Sequence, residues 1–72
     1  MKNSIFFFFD PPFADTHFVD YLDFIKRNKN YEKRHIVIIH REKKTIDKLE
    51  KTLKVIIEKK YGRSKIIFGV FI

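Results

Sequence analysis

The stretch Thr45-Ile46-Asp47-Lys48-Leu49-Glu50-Lys51-Thr52-Leu53-Lys54-Val55-Ile56-Ile57-Glu58-Lys59-Lys60 decides the fold, because its periodicity sets how the apolar runs on either side connect. Ile46, Leu49, Leu53, Ile56 and Ile57 fall on one stripe at helical spacing. Outside that stripe, Asp47/Lys51, Glu50/Lys54 and Lys54/Glu58 are opposite charges four residues apart. Thr45 suits the amino-terminal cap, Lys59 and Lys60 suit the carboxyl end, and Gly62 suits the stop. The segment is therefore predicted to be a helix.

Working outward, His35 to His40 and Lys65 to Ile72 read as strands, each dominated by apolar, largely β-branched residues. Ser4 to Phe9 is an apolar, aromatic run closed by Asp10-Pro11-Pro12, a buried strand with a hard stop. Between the first two strands, Phe18, Tyr21, Leu22 and Ile25 mark a helix capped by Asp15 or Thr16 and running to about Lys29. The predicted fold is thus α/β, a single domain over residues 1–72, with a small three-stranded, mainly parallel sheet (βαβαβ) and two helices. Every strand is apolar on both faces, the first most of all, which favours the order 2-1-3 with strand one central. The third strand then lies at an edge with little charge to guard it. Phe68, Val70, Phe71 and Ile72 are accordingly expected to meet a protein partner or pair two copies into a dimer.

A chain of 72 residues has room for one small core and no large enclosed cavity. Without cysteine it forms no disulfide, Cys zinc site or thiol nucleophile, which suits an intracellular, reducing compartment. The apolar run at Ile5 to Phe9 is too short for a signal-peptide core, and no run approaches a membrane span. Lys, Ile, Phe, Asn and Tyr dominate while alanine occurs once, a skew matching AT-rich coding in some viruses, organelles and microbes. The positions of the lysines therefore carry more information than their number.

Titratable side chains give a thin catalytic signal. Asp10 and His40 end neighbouring strands at the pole where open α/β sheets bind ligands, and such a pair can act as a base or hold a metal. No second carboxylate stands at a spacing that fixes it beside them, and each residue is also an ordinary strand terminator. Neither nucleotide-binding glycine fingerprint occurs. His17, His35 and His40 lack metal-ligand spacing, and His35 and His40 point to opposite faces of their strand. No metal site, no cofactor and no enzymatic activity is expected on this ground; a small metal-dependent hydrolase using Asp10 and His40 is the third reading.

Charge is more informative, at 16 Lys plus Arg against 9 Asp plus Glu. In the βαβαβ arrangement the amino-terminal pole would gather Lys2, Lys26, Arg27, Lys29, Lys33, Arg34, Lys59, Lys60, Arg63 and Lys65, opposed only by Glu32 and Glu58. Asn28, Asn30, Tyr31 and Tyr61 interleave with them, a mixture suited to phosphates and stacked bases. Cations at helix ends also satisfy the helix dipole, and a basic face is often only solubilising. A smaller anion site is expected at Arg41, Lys43, Lys44 and Thr45, where the second helix would begin. The leading expectation is a non-enzymatic basic module that docks on nucleic acid, RNA included, or on a ribonucleoprotein. The alternative is a modulator or inhibitor of a host protein, viral or from a mobile element, acting through the aromatic third strand.

Overall fold

The computed structural model describes residues 5–12, 17–28 and 33–72. The expected caps Asp15 and Thr16, the cations Lys2 and Lys29, and Phe13, Asn30, Tyr31 and Glu32 lie outside those residues. Five elements follow in chain order: β1 (Ile5–Phe9), α1 (His17–Asn28), β2 (His35–Glu42), β3 (Leu53–Tyr61) and β4 (Ser64–Phe71). Among the described residues these build a four-stranded mixed sheet, ordered β1-β2-β4-β3, with one helix.

The first half follows the sequence pattern. β1 and β2 pair in parallel, with Phe7 beside Val37 and Phe9 beside Ile39. The helix between them buries Phe18, Leu22 and Ile25, spaced as one helical stripe, and carries Lys26 and Arg27 at its last turn. These side chains pack with Val37, Ile39, Leu49, Leu53, Ile67 and Phe71 into the core, with Phe7, Phe9 and Val19 against it. His35 belongs to this same face, where its Nε2 accepts the Phe71 backbone N–H at 2.9 Å.

The second half corrects the prediction. No helix forms over residues 45–60: residues 45–52 are a loop ending in a turn, and Leu53–Tyr61 is a strand. The run Val55-Ile56-Ile57 explains the choice, since three β-branched side chains in succession are stiff at χ1 and fit a pleated strand better than a helix. Tyr61 and Ser64 are paired across a two-residue loop, Gly62-Arg63, in which Gly62 takes φ +50°. Gly62 therefore turns a hairpin where the sequence suggested a helix stop. Of the expected helical stripe, Leu49 and Leu53 are buried, whereas Ile46 is 91% exposed.

The strand order changes with it. The predicted three-stranded parallel arrangement 2-1-3 gives way because β4 runs antiparallel to both β2 and β3 and lies between them. Phe68, Val70 and Phe71 consequently sit on an interior strand, with Phe71 in the core and Phe68 and Val70 half-buried. Ile72 is exposed, and its backbone N–H bonds Thr52 O at 3.1 Å. An exposed third-strand edge for a partner or a dimer is thereby removed. β1, expected at the centre, pairs only with β2 among the described residues.

One glycine makes this packing possible. The β3–β4 register shifts between Val55 and Ile57, so Ile56 is the extra residue of a bulge. Opposite it stands Gly69, where a Cβ would lie 2.8 Å from the Lys54 carbonyl oxygen. Gly69→Ala is expected to destabilise the fold by about 1–3 kcal/mol, the usual cost of overpacking. Urea denaturation checks this, and a neutral substitution would mean that β3 is not held so close.

Candidate functional site

β1 and β2 point their carboxyl ends to the same pole, which is also where β3 ends and β4 begins. This is the pole at which open α/β sheets bind ligands, because loops there diverge from the strand ends. Asp10 follows β1, and His40 lies near the end of β2. The His40 Nδ1 and Asp10 Oδ1 are 2.9 Å apart, with both side chains reachable by solvent. Pro11 and Pro12 fix the chain just past the carboxylate, and Glu42 and Ser64 complete the walls of a shallow cleft. The two residues singled out from the sequence are thus brought into contact.

The cations divide differently from the expectation. The single basic pole does not form, because the β3–β4 hairpin reverses the chain where a helix was expected. Lys26, Arg27, Lys33 and Arg34 stay at the amino-terminal pole, near the end of α1 and the start of β2. Two of them are engaged: Lys26 Nζ donates to Lys51 O at 2.7 Å, and Arg27 Nε lies 3.0 Å from Asp23 Oδ2. Lys59, Lys60 and Arg63 move to the opposite, carboxyl pole. There the Lys43 N–H bonds Arg63 O at 2.6 Å, joining the turn after β2 to the hairpin tip. Lys43, Lys44, Lys60 and Arg63, all exposed, line one surface depression together with Glu42. With Lys59 near the end of β3, five cations belong to the carboxyl pole, and Glu42 lines both their depression and the cleft of Asp10.

Three other expected site residues have structural duties. Arg41 is buried, its Nε 2.9 Å and its Nη2 3.2 Å from the two Asp47 oxygens, its Nη1 donating to Pro12 O at 3.2 Å. Its guanidinium also lies 4.7 Å from the Phe18 ring centre. Arg41 therefore positions the Pro12 backbone instead of meeting an anion in solvent. Lys65 is buried too, donating to Thr45 O at 2.7 Å with Glu58 Oε2 at 3.6 Å. Thr45 caps a turn, its Oγ1 and N–H both bonding Glu42 O, and no helix begins there. The sequence reading missed Asp47 as the partner of Arg41 and Ser64 as a wall of the cleft. The signal for both was a two-residue Gly62-Arg63 loop between two apolar runs.

Among the described residues no cluster of three or more His, Asp and Glu is arranged to hold a metal ion, and no helix is long and apolar enough to cross a membrane.

Parallel strands joined by a helix, an antiparallel hairpin docked beside them and a polar cluster at the carboxyl pole define an open mixed α/β sheet protein. The chain belongs to the family described as conserved hypothetical protein 95, whose profile matches residues 2–70. It is similar to a solved structure described as a conserved hypothetical protein of Streptococcus pyogenes, with 26% identity and a TM-score of 0.79. The similarity covers 93% of this chain and 42% of that one, so the chain spans less than half the length of its structural relative. No curated protein matches it significantly.

Proposed function

We propose that this chain binds nucleic acid through the carboxyl pole of its sheet. Lys43, Lys44, Lys60 and Arg63 contact the phosphate backbone in this reading, and the cleft of Asp10 and His40 faces the nucleotide they hold. The observation that carries it is the bond from the Lys43 N–H to Arg63 O, which merges two cation-bearing turns at the pole where α/β sheets bind ligands. The amino-terminal cations support it less, because Lys26 and Arg27 already have partners within the chain. The experiment compares two charge-reversed proteins by fluorescence anisotropy of labelled single-stranded RNA and duplex DNA. Glu at positions 43, 44, 60 and 63 is expected to remove most of the affinity, and Glu at 33 and 34 to change it by less than about threefold. The opposite ranking would overturn the proposal.

The Asp10–His40 hydrogen bond favours a second reading, a hydrolytic site. A carboxylate on His Nδ1 fixes the ring and leaves Nε2 to take a proton from water or a hydroxyl. Asp10→Asn would then lower phosphodiester cleavage by at least tenfold while leaving RNA affinity within about twofold. If the native protein cleaves no phosphodiester substrate, or the variant cleaves as fast, the pair only orders the strand ends.

A further inference from the structure

The sheet has two apolar faces and the described residues supply one cover. α1 lies over the face of Val37, Ile39, Ile67 and Phe71. On the other face the pairings set Phe6 beside Ile36, Phe8 beside Ile38 and Ile38 beside Phe68, with Val70 two residues further along β4. Phe6 and Phe8 are each 64% exposed, and Ile36, Ile38, Phe68 and Val70 are only half-buried. A contiguous aromatic and aliphatic surface of this kind marks an interface in a soluble protein.

The margin of the sheet points the same way. β1 reads in sequence as a parallel strand buried on both faces, with neighbours on both sides, yet among the described residues it has β2 alone. Such a strand presents a row of backbone donors and acceptors on its outer side. The streptococcal relative has more than half of its length outside the region matched here. That remainder is a polypeptide large enough to add to the sheet and to cover the face that the described residues leave exposed.

We propose that β1 and the Phe6/Phe8 face dock a second α/β unit, which adds a strand beside β1 and lays an apolar helix across Phe6, Phe8, Ile36 and Ile38. Its recognition chemistry is backbone pairing at the margin and aliphatic packing on the face. The occupant is an α/β polypeptide resembling the unmatched part of the streptococcal protein.

The test co-expresses the full chain with that unmatched part as a separate polypeptide. A one-to-one complex is expected by native mass spectrometry, with amide exchange at Phe6–Phe9 slowed at least tenfold relative to the chain alone. Phe8→Lys is expected to weaken the complex at least tenfold. Because Phe8 is already exposed, the same variant should keep the circular dichroism of the native chain and bind less of an apolar-surface dye. The proposal is overturned if no complex forms, if β1 exchange is unchanged in the complex, or if Phe8→Lys binds as tightly as native. It is equally overturned if two copies of the chain pair through β1 and exclude the second polypeptide.

Discussion

Arg41→Met is expected to destabilise the protein by about 3–5 kcal/mol, because it strands a buried carboxylate. The side chains of Arg41 and Asp47 are only 2% and 4% exposed, and they meet through two bonds in a forked geometry. Removing the guanidinium leaves Asp47 charged and desolvated, and it also releases the Pro12 carbonyl and the Phe18 ring. Removing both partners is a milder change, since a buried ion pair exchanged for apolar side chains is often close to neutral. The double variant Arg41→Met/Asp47→Leu should therefore recover much of the loss. Urea denaturation of the native protein, Arg41→Met, Asp47→Leu and the double variant gives the coupling, expected to exceed about 1 kcal/mol. Additive single losses would mean that Arg41 acts through contacts other than Asp47, such as Pro12 and Phe18. Since the pair lies out of water, added salt should change its contribution little.

The second large effect is on nucleic-acid affinity and is strongly dependent on salt. If Lys43, Lys44, Lys60 and Arg63 each neutralise one phosphate of a single strand, affinity should fall about 50-fold between roughly 50 and 200 mM salt, from a slope of about −0.7 per contact. Glu at all four positions should remove that slope as well as the affinity. Reversal at Lys33 and Arg34 should leave the slope nearly as in the native protein. A native slope near zero would show that the cations at the carboxyl pole only keep the protein soluble, whatever the absolute affinity.

The two predictions are linked by geometry. Arg41 sits between the buried core and the cleft, holding Pro12 in place beside Asp10. The sequence placed Arg41 with Lys43 and Lys44 as an anion binder, because a run of cations reads as one feature. Side-chain alternation along β2 separates them: Arg41 points into the helix-covered face, and the chain leaves the strand before Lys43.

Local pattern determined β1, α1 and β2, together with the Asp10–His40 pole. Each rests on short-range information: an uninterrupted apolar run, a helical stripe at Phe18, Leu22 and Ile25, and a proline stop that ends a strand beside its parallel neighbour. The opposite holds for residues 45–60, where apolar spacing and charge pairs fit a helix while the β-branched run fits a strand. Tertiary structure alone settled that conflict, by docking β4 between β2 and β3 and fitting Gly69 against the bulge at Ile56. Hydrogen bonds between strands and burial of Leu53 against the core outweigh exposed ion pairs worth a few tenths of a kcal/mol each. The same hairpin carried Lys59, Lys60 and Arg63 to the other end of the sheet, so the position of the basic surface followed from long-range pairing that no local spacing encodes.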